Sequence, residues 1–176
     1  MQKRVFQLSW KKENQIGRIN KMSSDELIKK TLESAKTIAM VGVSSAKKEV
    51  STNIRRRPST IVMKYMQEFG YKVIPVNPFS VGEKVHGEII VGKLNDIKIP
   101  IDIVDVFRPS KEAPMIAEEC VKIGAKVFWL QYGIENDEAK QIVDSKNIFY
   151  VSNKCIKQEY QRLFLKVSPV FPALKN

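Results

Sequence analysis

The residues best suited to chemistry lie in one stretch, Gly42 to Ser59, and the chemistry they suit is the holding of anions. Gly42 ends an apolar run, and Ser44 and Ser45 follow it with hydroxyl and backbone donors. Lys47, Lys48 and the triplet Arg55-Arg56-Arg57 come next, ahead of Pro58 and Ser59. A glycine at a strand end lets the backbone turn tightly and a ligand come close, and the N–H groups of a following helix favour phosphate. Arginine adds a fork of donors matched to phosphate oxygens. Arg108, beside Phe107, offers a second cation next to an apolar ring.

Other reactive side chains are few. The chain has one histidine, His86, set between Val85 and Gly87 and read as a surface loop residue. Cys120 and Cys155 are too few for a disulfide framework and lack metal-ligand spacing. Cys120 reads as core. Cys155 stands where a helix is expected to begin, beside Lys154 and Lys157, which would lower its pKa and suit it to redox chemistry or a mixed disulfide; the alternative, a half-buried packing cysteine, is the favoured reading. Asp102 and Asp105 lie three apart on an expected strand, so they point to opposite faces and form no acid–base pair. No catalytic residue and no metal ligand is assigned.

These residues need a scaffold that brings strand ends together. Thr37–Val43 reads as a buried strand, Pro58–Phe69 as a helix stopped by Gly70, and Tyr71–Val76 as a second strand: one βαβ unit. Ahead of it, Ser23-Ser24-Asp25-Glu26 is a capping box opening a helix to about Ser34, with Leu27, Ile28, Thr31 and Leu32 inward. Beyond it, residues 85–91 read as a short irregular strand and 94–97 as a helical turn. Further strands are expected at 101–107, 126–130 and 148–152. Helices are expected at 110–123, capped by Ser110, at 136–145 and at 155–164. The alternation predicts an α/β fold: a Rossmann-like three-layer sandwich with a mainly parallel sheet of about five strands. Its ligands should sit outside the carboxyl ends of the strands.

The composition is that of a globular protein, with 43% hydrophobic and 28% charged residues and no apolar run long enough for a membrane span. The net charge is +11, of which the first 21 residues supply +5. Residues 1–21 read as a disordered basic tail, 22–166 as the folded domain and 167–176 as a C-terminal tail. The remaining positive charge suits an anionic small molecule. No nucleic-acid motif accompanies it, so neither nucleic acid nor membrane is expected as a partner, while a homodimer is compatible with the chain. The cysteine usage suits a reducing, cytoplasmic setting.

Two nucleotide readings separate on details. The full Gly-x-Gly-x-x-Gly pattern is absent, and the second strand ends in Asn77-Pro78, with no acid to grip a ribose 2′-OH. Both points count against NAD. An NAD(P)-type oxidoreductase and a regulatory Rossmann-like protein stand as the alternatives.

Six segments in order carry a resemblance: 38–44, Arg57-Pro58-Ser59, 73–78, Val104-Asp105-Val106-Phe107-Arg108, Trp129-Leu130-Gln131-Tyr132-Gly133 and 153–159. Together they resemble the small stand-alone CoA-binding proteins, which are similar to the N-terminal CoA-binding domain of the succinyl-CoA synthetase α subunit. The resemblance implies a CoA-binding or acyl-CoA-binding protein with no catalytic machinery of its own. By motif, Gly42, Val43 and Ser44 would form the phosphate-facing turn and Arg57 and Ser59 the helix entrance. Asn77 and Pro78 would line the floor, and Phe107 and Arg108 the opposite wall. Ser45 and Lys47 belong to the same anion-binding loop, which is longer than the family pattern.

Overall fold

The computed structural model describes residues 22–44 and 58–165. The chain divides into two compact units, Met1–Ser34 and Ala35–Asn176. In the first, α1 (Ser24–Ser34) opens with the expected capping box. The Ser23 N–H donates to Glu26 at 2.7 Å and the Glu26 N–H donates to Ser23 Oγ at 3.3 Å. Ile28 and Leu32, four apart, are its buried residues.

The second unit carries a five-stranded sheet ordered β2-β1-β5-β6-β7, with every pairing parallel. The strands are β1 (Thr37–Val41), β2 (Lys72–Val76), β5 (Ile103–Val106), β6 (Val127–Leu130) and β7 (Phe149–Val151). Between them lie α2 (Pro58–Glu68), a 3-10 turn at Ser110–Glu112 leading into α3 (Ala113–Lys122), and α4 (Asp137–Asp144). After β7 comes α5 (Ile156–Tyr160), which passes into a π-helical turn, Gln161–Leu165. This is the Rossmann-like α/β architecture that the alternation of elements predicts.

Strands buried on both faces should be apolar throughout; β6 is, and so is β1 beyond Thr37. On one face Val41, Val76, Val106, Phe128 and Leu130 form a core with Ala113, Ile116, Ala117 and Cys120 of α3 and Ala139 and Val143 of α4. The other face carries Met40, Asp105 and Trp129 in one row across β1, β5 and β6. On this side Trp129 Nε1 donates to the Lys154 carbonyl at 2.6 Å, which fixes the start of α5 against the sheet. Rings of Tyr65, Phe69, Tyr71 and Tyr160 join α2 and β2 to α5.

Several local expectations change. Residues 84–91 form not one strand but a hairpin, β3 (Lys84–Val85) with β4 (Glu88–Ile89), followed by a single bridge from Val91 to Val76. The reason lies in His86-Gly87, both at positive φ (46° and 85°), which is the turn chemistry of a tight hairpin. Ser110 does not cap α3. Its Oγ accepts from the Glu135 N–H and its carbonyl from Asn136 Nδ2, so it ties two loops together instead. The true side-chain cap is Asn136, whose Oδ1 accepts from the Ala139 N–H at 2.8 Å to open α4. Pro75 is tolerated within β2 because β2 is an edge strand, which needs only one ladder of hydrogen bonds.

Candidate ligand-binding cleft

The chain leaves β1 for β2 on one side and later crosses to β5 on the other, so the order reverses beside β1. In open parallel sheets such a reversal is where ligands bind, outside the strand ends. Gly42 follows β1 at this point. Its N–H donates to the Val76 carbonyl and the Phe107 N–H donates to the Val41 carbonyl, both at 2.8 Å, so the turn is zipped to both neighbouring strands. Its φ of 92° lies in the left-handed region that favours glycine. A Cβ there would stand 2.9 Å from Arg108 Cδ and 3.1 Å from the Phe107 carbonyl oxygen. The glycine is therefore needed twice over, for its dihedral and for the passage of the arginine.

The other predicted residues that are described gather around this turn. The Ser44 N–H donates to Ser59 Oγ at 3.3 Å, so buried Ser59 holds the turn against the first residues of α2. Asn77 bridges the other way: Nδ2 donates to the Val43 carbonyl and Oδ1 accepts from the Phe79 N–H, each at 2.9 Å. Val43 is fully buried beneath, and Pro78 is exposed beside Asn77. Phe107 and Arg108 are half-buried on the β5 side. Arg108 makes a two-point contact with Glu112, at 2.7 Å from Nε and 2.9 Å from Nη2. Ser45, Lys47 and Arg57, with Lys48, Arg55 and Arg56, lie outside the described residues. So do residues 1–21 and 167–176, read above as tails.

The loops after β6 and β7, both among the strand-end loops where a ligand is expected, are joined to each other. Asn153, at a φ of 55°, accepts from the Gly133 N–H and donates to Glu135, clamping the loop after β6 to the loop after β7. Phe79 and Tyr132 stand at the strand ends, 74% and 77% exposed, leaving two aromatic rings free for a ligand.

Beneath these loops the structure reveals a polar pair missed in the sequence. Asp105 is fully buried, and Gln131 Nε2 donates to its Oδ1 at 2.7 Å, while Oδ2 has no hydrogen-bond partner. Burial pushes its carboxyl up to about 7, against the pull of Gln131. The signal was present: one aspartate within the apolar strand Ile103-Val104-Asp105-Val106. Asp102 is the opposite case. Burial works against its charge, but Lys126 and the Lys36 and Thr37 N–H groups overcome it and bring the carboxyl down to about 2.

The cysteines divide partly as expected. Cys120 is buried in the core and its thiol is pushed up to about 12 by burial. Cys155 is half-buried, but its thiol is raised rather than lowered: burial outweighs the N–H groups of Gln158 and Lys157. Of the two neighbouring lysines, Lys157 still pulls the thiol down, but less than burial raises it. Lys154 Nζ pairs with Glu159 at 3.8 Å, and Lys157 Nζ lies 5.2 Å from the centre of the Tyr65 ring. His86 caps the hairpin, exposed, with Nε2 at 2.9 Å from the Thr60 carbonyl.

The fold is that of a Rossmann-like domain, with the strand order reversing beside β1. The model of the CoA binding domain family matches residues 36–161, and the chain belongs to that family. It is similar to protein YneT of Bacillus subtilis (strain 168), at 42% identity over 130 residues, which is 74% of this chain and 89% of that protein. Among solved structures it resembles cell-free ID.343 from Thermus thermophilus, with a TM-score of 0.72 and 35% identity over 81% of this chain and all of that one. A hypothetical protein from Pyrococcus horikoshii OT3 has the same TM-score and 38% identity, over 80% of this chain and 92% of that one. No described helix is long and apolar enough to cross a membrane.

Proposed function

We propose that this protein binds CoA or an acyl-CoA, with the phosphates at the Gly42–Ser44 turn and without catalytic machinery of its own. The observation that carries this reading is the bare turn at Gly42, lying under the Arg108 side chain at the switch point of a CoA-binding-domain fold. Backbone donors on one side and a guanidinium on the other make a cradle for a pyrophosphate. CoA carries a further 3′-phosphate, and Ser45, Lys47 and Arg57 are the groups we assign to it. An Asn rather than an acid ends β2, and Asn77 spends both ends of its amide on the loops, which argues against a ribose diol gripped there. In this reading residues 22–166 form the binding domain, and the protein works in the cytoplasm.

The test is a calorimetric titration with CoA, acetyl-CoA, dephospho-CoA and NAD. Micromolar CoA binding that weakens without the 3′-phosphate supports the proposal. Equal affinity for acetyl-CoA would extend it to acyl-CoA. Binding of NAD in preference to CoA, or of neither, would overturn it.

A further inference from the structure

Asp105 stands just below the turn at Gly42. It pairs in register with Met40, and Gly42 comes two residues after Met40 on that neighbouring strand. The offset puts its carboxyl roughly 10 Å from an anion seated on the turn. Met40, Val43 and Val106 around this path are fully buried, so little water screens the two charges. Asp105 is itself fully buried; Gln131 holds Oδ1, and Oδ2 has no hydrogen-bond partner. Burial penalises the charged form, and the neutral donors of Gln131 and the Val106 N–H are a weak counterweight. The carboxyl is pushed up to about 7, so near neutral pH the free protein carries Asp105 in both forms.

The other titratable groups on this face do not change charge there. The approach to α5 brings Cys155, α5 brings Lys157 and Glu159, and α2 brings Tyr65. Glu159 is paired with Lys154 and Arg162, and Lys157 stands over the Tyr65 ring. Burial raises both the Cys155 thiol and the Tyr65 hydroxyl, which keeps them neutral.

We propose that anion binding at this turn is proton-linked: a phosphate seated on Gly42–Ser44 drives a proton onto Asp105 beneath it. The inference rests on the CoA reading above and adds how that site responds to pH. The step is acid–base only. A proton from solvent goes to the carboxylate, whose unpartnered oxygen is Oδ2, and removes one negative charge as the ligand brings its own. At an effective dielectric near 20, one negative charge roughly 10 Å away strengthens a carboxylate's hold on its proton about tenfold. By linkage, the ligand binds the protonated form about tenfold more tightly than the ionised form. Affinity is therefore full on the acid side of neutrality and falls as pH rises.

The test is calorimetric titration of the full chain with CoA at stepped pH, in pairs of buffers that differ in ionisation enthalpy. About 0.4 proton should be taken up per CoA at pH 7, and affinity should fall about five- to tenfold from pH 6 to pH 9. Asp105→Asn should abolish the uptake, match the parent at pH 6 and bind CoA about five- to tenfold more tightly than the parent at pH 9. The 3′-phosphate of CoA titrates near 6, as phosphate monoesters do, but against both proteins alike, so their difference reads Asp105. Cys155→Ala should keep the parent's profile. Gln131→Met withdraws a donor from the carboxylate, so its fall in affinity should begin at higher pH. Parallel profiles in the parent and Asp105→Asn, or a flat profile in Cys155→Ala, overturn the proposal. If CoA binds with no proton uptake at pH 7, this inference fails alone. If CoA does not bind, the reading beneath it fails too.

Discussion

Arg108 grips Glu112 with two parallel hydrogen bonds while its own side-chain carbons lie over Gly42. The only guanidinium described at the cleft therefore already holds an anion, and that anion is part of the protein. Glu112 acts as a resident competitor for the group that a phosphate would seek, and the Arg108 hydrogen bonds hold its carboxyl below the ordinary range. Glu112→Gln should tighten CoA binding about two- to fivefold, and Arg108→Ala should weaken it about tenfold or more, since charge-assisted pairs to arginine are the strong ones. The pair is partly exposed, so neither change should cost more than about 1 kcal/mol of stability. Calorimetry and urea denaturation on the two variants check both halves.

Gly42→Ala tests the floor of the cleft. The added Cβ would collide with Arg108 Cδ and force an L residue to a φ of 92°. The expected cost is about 1–3 kcal/mol of stability, with the CoA response lost in calorimetry. Retained affinity with lost stability would mean that the turn does not face the ligand.

Asp102 should set part of the acid limit. Its folded pKa, about 2, lies below the ordinary carboxylate value, so its stabilising effect is present above about pH 4 and is lost as pH falls towards 2. Asp102→Asn should lower stability at pH 7 and flatten the loss between pH 4 and pH 2. Urea denaturation at stepped pH gives the curve, and identical acid limbs in both proteins would refute the assignment.

Asp105 should act with the opposite sign. Its folded pKa of about 7 lies above that of the unfolded chain, so the group's contribution to stability falls as pH rises from about 4 to 7. Asp105→Asn keeps an acceptor for Gln131 and removes the charge. It should be more stable than the parent at pH 8, with the advantage shrinking towards pH 4. A variant that is less stable at pH 8 would show that the ionised carboxyl is structurally required.

Much of this architecture was legible because its signals are local. The apolar run of β1 and the glycine that ends it, the capping box Ser23–Glu26 and the helix opened at Pro58 each follow from a few neighbouring residues. The tight turn at Gly42 was legible for the same reason, and structure adds that Ser59 and Asn77 hold it. What escaped depends on partners far along the chain. The solitary Asp105 becomes a perturbed acid because the assembled sheet and helices bury it, and the partner that holds its Oδ1, Gln131, lies 26 residues on. Ser110 looks like a helix cap until Asn136 and Glu135 claim it. An activated Cys155 was one of two readings because Lys154 and Lys157 adjoin it in sequence, yet burial by distant elements raises its thiol, and Lys154 pairs with Glu159 instead.

Pro75 has a consequence for how copies of this chain can meet. It removes one backbone donor from β2, and the outer side of that strand is met by Val91, whose N–H donates to the Pro75 carbonyl at 3.0 Å. That flank of the sheet offers no open ladder for a foreign strand to join. Among the described strands of the main sheet, the edge left open to a foreign strand is β7, only three residues long.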